Sequence, residues 1–385
     1  AQLRVSENAI LPFVLTRSCA LYPDYTALNR KLASLYGATL FADAIKLGDA
    51  QVLRVVAAAL DDRFAENGGS IASECASLLL ELIFDPALEN GAFRQADIES
   101  EKRLFLERIR GEINNKRTYA LARCEEIMCG GTPFGTPKYG TLEQTGALTP
   151  DSVCKALQRA LRSARVHINV VGGGDPARVF DGFKKRFSGL SREPVFPGNE
   201  PAAQSGARSV TEKMEVTQGK LVMGFSTGVP EQDKTAPELR VMADLFGGGP
   251  YSKLFLNVRE RLSLCYYCAA RYNRRKGILF VDSGVEFQNT DKAREEILRQ
   301  LELIRRGEFT EEELSASKKS LIDSVGTVAD SPAGLDSWYT ERLFDERPDS
   351  PGEYAAKLGA VTAGQVTDAA RKASLHTTYI LTGEG

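Results

Sequence analysis

The chain has 385 residues, with 49 Lys+Arg against 51 Asp+Glu and a formal net charge of -2. Hydrophobic residues make up 43% and charged residues 26%, the balance of a folded globular chain rather than a disordered one. No basic excess points to nucleic acid or an anionic membrane surface, and no apolar run approaches the roughly 20 residues that span a bilayer.

At roughly 100–200 residues per domain, the length suggests about two domains. The first part reads as a helix ending at Tyr36-Gly37, with Leu28, Leu32 and Leu35 at helical spacing, then strands over 38–46 and 51–59 joined at Gly48-Asp49. Two amphipathic helices follow, one marked by Ile71, Cys75, Leu78 and Leu82, the other by Ile98, Phe105 and Ile109. A helix over 121–128 precedes a Gly- and Pro-rich loop over 130–140. Helix 151–161, strand 165–171 and helix 176–187 close this part. In the turn before the last helix, Asp175-Pro176 reads as an N-cap followed by proline at the first helical position. Residues 193–207, with three prolines and little periodicity, read as a linker. Beyond it the expected order is strand 213–225, helices 236–245 and 252–261, strands 264–272 and 278–287, and helices 291–305 and 311–328. Short helices over 335–343 and 351–358, a helix over 363–373 and a last strand complete the chain.

Two histidines, His167 and His376, are the whole supply, so no mechanism needing a histidine cluster can run on this chain alone. Both lie in strand-like runs, where a packed or hydrogen-bonded role is the ordinary one. Seven cysteines, an odd number, imply no disulfide framework and fit a reducing, cytoplasmic setting. Cys265-Tyr266-Tyr267-Cys268 matches C-x-x-C, but residues three apart on a strand face opposite sides, so the thiols are expected to diverge. Cys124 and Cys129 diverge by about 140° on a helix. Both pairs are expected to be plain small apolar side chains.

The element order recurs. Phe93 to Ile98 with Lys102-Arg103 aligns with Phe309 to Leu314 with Lys318-Lys319, and Leu28-Asn-Arg-Lys-Leu32 aligns with Leu254-Phe-Leu-Asn-Val258. The same order at both places indicates an internal duplication.

These stretches resemble the M16 (pitrilysin/insulinase-like) peptidase family over nearly the whole chain. Leu21-Tyr22-Pro23 and the charged run Ile98 to Glu107 carry the resemblance in the first half. Gly247-Gly248-Gly249-Pro250-Tyr251-Ser252-Lys253-Leu254-Phe255, running into Arg259 to Tyr266, carries it in the second. The resemblance implies an α+β fold of two homologous M16-type (LuxS/MPP-like) domains, each a mainly antiparallel sheet with helices packed on one face. It places domain 1 at 1–195, a linker at 196–207 and domain 2 at 208–385, and leads us to expect that the first domain lacks its opening strands.

Active members carry H-x-x-E-H, in which two imidazoles bind zinc and the Glu activates the bound water. The corresponding positions here are Ala9, Pro12 and Phe13, and the third ligand, a Glu on the charged helix, falls at Arg108 beside Glu107. None of the first three can bind a metal, and no histidine precedes His167. The chain therefore resembles the non-catalytic type, closest to the bacterial silent partner subunits, and is not expected to be an enzyme by itself or to need a cofactor, zinc being held by its partner.

In active members the second domain supplies an Arg and a Tyr that bind the substrate carbonyl. Tyr266 stands at the Tyr position. The Arg position is Leu262, with Arg259 and Arg261 nearby, which read either as substrate contacts or as a solvated helix face. Gly247, Gly248 and Gly249 read either as a helix-entry turn or as a substrate-contact loop. The implied partners are a zinc-bearing M16 paralogue and a peptide or unfolded polypeptide, with self-association into a homodimer when that paralogue is absent. No nucleic-acid or membrane partner is expected. Phe13, Arg108, Arg259, Arg261 and Tyr266 are expected to face a cleft. The alternative is a structural assembly protein of the same fold with no peptide substrate, like the respiratory core subunits.

Overall fold

A computed structural model describes residues 4–196, 198–202, 207–229 and 233–383. The chain forms two compact units, Ala1–Gly111 with Pro137–Gly198, and Glu112–Thr136 with Asn199–Gly385. The units part within the expected linker, of which Pro197 and residues 203–206 lie outside the described residues. Residues 112–136, read from sequence as part of the first domain, pack with the second.

The first unit opens with short helices α1 (Val5–Ala9) and α2 (Leu11–Leu15), followed by α3 (Tyr25–Ser34). Asp24 caps α3, accepting from the Ala27 N–H at 2.8 Å. Strands β1 (Thr39–Leu47) and β2 (Ala50–Ala58) pair as an antiparallel hairpin turned at Gly48-Asp49. Next come α4 (Ile71–Phe84), the short hairpin β3 (Leu88–Glu89) and β4 (Ala92–Phe93), and α5 (Gln95–Gly111). The expected stripe of Ile71, Cys75, Leu78 and Leu82 is buried with Leu28, Leu35 and Cys19.

The chain then enters the second unit for α6 (Lys116–Met128) and returns for α7 (Leu142–Gly146), α8 (Pro150–Ser163) and α9 (Pro176–Ser188). Thr149 and Ser152 form a capping box on α8, with Pro150 at its first turn. Asp175 caps α9 by accepting from the Ala177 N–H at 3.0 Å, with Pro176 at the first turn. The strand expected over 165–171 does not form. No strand is assigned to the segment among the described residues, and His167 is exposed on it. An extended segment becomes a strand only when a neighbour takes its N–H and C=O groups.

The second unit is built on a five-stranded sheet in the order β5 (Arg208–Lys213), β9 (Ser374–Thr382), β6 (Gly219–Ser226), β8 (Ile278–Val285) and β7 (Cys265–Asn273). All pairs are antiparallel except β5 with β9. The strand expected over 213–225 forms only from Gly219 as β6, and the strand before it, β5, was not expected. Helices α10 (Ala236–Gly247), α11 (Thr290–Arg305), α12 (Glu311–Gly326), α13 (Pro332–Thr340), α14 (Pro351–Ala360) and α15 (Ala363–Lys372) follow the expected order. Their apolar stripes bury Leu221, Met223, Phe225, Leu279 and Val281 from one face of the sheet.

The sequence reading put helices on one face only; α6 also covers the other. Ala120, Cys124 and Met128 of α6 pack with Val222, Ile278, Phe280 and Tyr379. Gly224 permits this approach, because a Cβ there would lie 2.8 Å from the Met128 sulfur. Polar ties reinforce the packing: Arg117 pairs with the buried Asp282 carboxylate, and Tyr119 donates to Glu212 Oε1 at 2.6 Å.

Candidate functional site

In the first unit the chain around Ala9, Pro12 and Phe13 is helical, broken at Ile10 between α1 and α2. Ala9, Ile10, Leu11, Val14 and Leu15 are buried against Phe93, Ile98 and Phe105. The segment is anchored from two sides. Gln51 Nε2 donates to the Val5 and Lys138 carbonyls at 3.1 and 2.9 Å, and Ser6 Oγ donates to the Tyr139 carbonyl at 2.8 Å.

These anchors bring three rings together. Phe13 meets Phe105 edge-on at 4.9 Å between centroids, and Phe105 meets Tyr139 at 5.3 Å. The Arg108 guanidinium lies over this shelf, 4.6 Å from the Phe13 ring and 5.5 Å from each of the others. Of the four positions singled out by sequence, Phe13 and Arg108 thus meet, in an aromatic shelf under a fixed positive charge, while Ala9 and Pro12 are buried. Ala9, Pro12 and Phe13 offer no lone pair to a cation, and Arg108 would repel one. The site does not fit zinc. Glu107, one residue away, is exposed, and the buried carboxylate of α5 is Glu101, taken by Arg17 at 2.6 Å. No group of three or more His, Cys, Asp or Glu side chains suited to a metal occurs among the described residues. Sequence reading did not anticipate Tyr139; its one signal was an aromatic residue inside an otherwise Gly- and Pro-rich loop.

In the second unit the glycine run ends α10. A Cβ at Gly247 would lie 2.5 Å from the Ala270 amide nitrogen on β7, and one at Gly249 would lie 2.7 Å from the Tyr251 ring. Gly248 caps the helix, its N–H bonded to the Asp244 carbonyl at 2.7 Å, while Tyr251 Oη donates to Asp244 Oδ1 at 2.6 Å. Close packing favours glycine at 247 and 249.

The helix expected over 252–261 is wound as a π-helix across Phe255–Arg261, closed by the Leu262 N–H bonding the Asn257 carbonyl at 3.2 Å. Such widened turns recur at functional sites. Arg259 stacks on Phe255 at 4.5 Å and lies 3.6 Å from Glu260. Arg261 reaches Glu296 at 3.5 Å, a carboxylate that also accepts from Arg299 and Gln300. Burial disfavours the charge on Glu296, but the hydrogen bonds from Arg299 and Gln300 outweigh it and hold the carboxyl below its usual range. The π-helix packs on β7, at whose start Tyr266 stands 59% exposed. Leu256 and Leu262 are exposed on the same junction. Arg259, Arg261 and Tyr266 therefore belong to one helix–strand junction, with Arg261 already engaged and Tyr266 open to solvent.

The expected divergence of Cys265 and Cys268 is overturned. A β-bulge between Cys265 and Tyr267 shifts the register, and the two thiols share the face packed against the helices.

The family description "Peptidase M16 inactive domain" matches residues 147–321. Over 381 residues the chain is 30% identical to the probable inactive metalloprotease YmfF of Bacillus subtilis (strain 168), covering 99% of this chain and 89% of that protein. The chain belongs to the M16 peptidase family. A conserved protein from Enterococcus faecalis V583 superposes with a TM-score of 0.91 at 25% identity, covering 99% of this chain and 90% of that one. An M16 inactive domain from Pseudomonas fluorescens shares the fold, with a TM-score of 0.81 at 15% identity, covering 99% of this chain and 89% of that one. This M16 chain is an inactive-type homologue. No helix among its described residues is long and apolar enough to cross a membrane.

Proposed function

We propose that this M16 chain is a catalytically silent subunit that pairs with a zinc-bearing paralogue to form a peptide-processing chamber. What supports the reading is the set of side chains at the positions that the family resemblance matches to the zinc ligands: Ala9 and Pro12 are buried, and Arg108 supplies a cation on the Phe13, Phe105 and Tyr139 rings. The fold is kept while the chemistry is lost, which suits a wall of a chamber rather than its catalyst. An exposed guanidinium on an aromatic shelf can pair with a carboxylate or donate to a peptide carbonyl. The junction carrying Arg259, Leu256, Leu262 and Tyr266 offers the mixed apolar and donor surface that an unfolded polypeptide would use.

The test is co-purification of the chain with an M16 paralogue that carries H-x-x-E-H, followed by cleavage assays of each chain and of the mixture on an unstructured peptide. The expected result is a stable pair whose turnover exceeds that of either chain. Arg259→Ala with Tyr266→Ala should then lower turnover about tenfold, a loss of ~1.4 kcal/mol, with the pair intact. Unchanged turnover in an intact double variant would favour a purely structural role, and failure to pair would sink the proposal.

A further inference from the structure

β7 opens with Cys265-Tyr266-Tyr267-Cys268, and its pairing with β8 is irregular there. Cys265 lies opposite Val285, Tyr267 opposite Gly284 and Cys268 opposite Ser283. Three residue steps of β7 therefore run alongside two steps of β8. Two steps of strand measure about 6.6 Å, which falls at the upper end of the roughly 4.4–6.8 Å between Cα atoms that a disulfide spans.

The bulge also restores the parity of the two side chains. Cys268 is buried in the core beneath the helices, and Cys265, half-buried, packs against the same cluster. Tyr266, the extra residue, is expelled to solvent. Both thiols thus face the same side of the sheet, separated by two steps of the partner strand. The backbone around Cys265 can yield: β7 is an edge strand, and Ser263, two residues earlier, already holds a left-handed φ of 50°.

We propose that Cys265 and Cys268 form a reversible thiol–disulfide site that exchanges with low-molecular-weight organic disulfides. The Cys265 thiolate attacks one sulfur of the disulfide, forming a mixed disulfide and releasing one thiolate. Cys268 loses its proton to that thiolate or to water and attacks the Cys265 sulfur, releasing the second thiolate. One internal S–S bond forms, one external S–S bond breaks, and two electrons pass from the protein to the small molecule. The electrostatics suit this order. The neighbouring Cys268 thiol, with Ser283 and the Arg259 charge, draws the Cys265 thiol below its usual range against the effect of burial. The proximity of Cys265 and full burial push Cys268 well up. An accessible nucleophile thus stands beside a buried resolving thiol. The bond would fix the bulge and with it the projection of Tyr266.

The full-length chain is equilibrated in buffers of reduced and oxidised glutathione, quenched in acid, denatured, alkylated and digested with trypsin. Residues 262–271 form one tryptic peptide holding both cysteines. In the oxidised buffer this peptide should be lighter by two hydrogens and carry no alkyl group, and dithiothreitol should restore both alkylation sites. Cys268→Ser should abolish the internal bond and leave Cys265 as a glutathione mixed disulfide; Cys268→Ala, checked by circular dichroism, serves if the serine variant does not fold. Full alkylation of both thiols of the wild-type peptide in the oxidised buffer would overturn the proposal. So would glutathione retained on Cys265 with no internal bond.

Discussion

Arg108 and Phe105 show how differently two neighbours on one helix contribute. Phe105 is buried between Phe13 and Tyr139, so Phe105→Ala should cost about 3–5 kcal/mol. Arg108 is exposed and held by its rings alone, an interaction worth about 0.5–1 kcal/mol. Arg108→Ala should therefore leave the urea midpoint nearly unchanged while Phe105→Ala lowers it clearly; a large loss from Arg108→Ala would mean the guanidinium holds the fold. Glu212 carries a pH signature. Burial works against its charge, but hydrogen bonds from Tyr119, Tyr379 and Arg123 more than offset this and hold the carboxyl below its usual range. A depressed carboxyl contributes stability that is fully present above its unfolded value of about 4.3. That stability is lost as pH falls through the lower folded value. Stability should thus decline as pH falls from about 4.3 towards that lower value, and Glu212→Gln should flatten this limb in urea titrations. An unchanged acid limb in the variant would show that the carboxyl is not held down. The Tyr119 hydroxyl, pushed up to about 12 by burial and by the Glu212 bond, stays a donor throughout this range.

Among elements, the α10 end, the π-helix and the start of β7 form a continuous stretch whose geometry is set by close approach. Gly247 lies against the Ala270 amide and Cβ, at 2.5 and 2.7 Å from where its own Cβ would sit. The obstacle is backbone on a paired strand, which cannot swing aside like a side-chain tip. Gly247→Ala should therefore cost about 1–3 kcal/mol, read as a lower denaturant midpoint. Gly111→Ala, where nothing lies within 4 Å of the added carbon, provides the contrasting control. If both variants unfold at the same midpoint, the glycine run is open after all, and a ligand-contact role regains its footing.

For the whole molecule, the decisive feature is that α6 belongs to the unit its sequence position does not suggest. Residues 199–385 expressed alone would expose the sheet face that Ala120, Cys124 and Met128 cover, including Val222, Phe280 and Tyr379. They would also leave the Asp282 carboxylate without Arg117, with only Arg271 near it at 4.0 Å. An unpaired buried charge and a bare apolar face are each costly. The fragment should bind a hydrophobic dye or aggregate, and adding residues 112–136 through a linker should suppress this. A monomeric fragment that melts as cooperatively as the full chain would refute the assignment of α6.

Most helices were legible because periodicity and caps are local. Ile71, Cys75, Leu78 and Leu82 repeat at the helical period, and Ser70, Thr149 and Asp175 cap the helices that follow them. That Ala9, Pro12 and Phe13 carry no metal-binding side chain was equally plain, since a side chain without a lone pair cannot bind zinc in any fold. What the neighbours decide was not legible. Residues 165–171 have the composition of a strand but are not assigned to one, and the strand expected over 213–225 begins only at Gly219, after a strand, β5, that was not expected. The register slip that joins Cys265 to Cys268 depends on which β8 residue faces each one. Strand pairing, bulges and the face a helix covers are agreements between segments far apart in the chain. One segment's sequence states only what it can bury; its partner determines where and in what register.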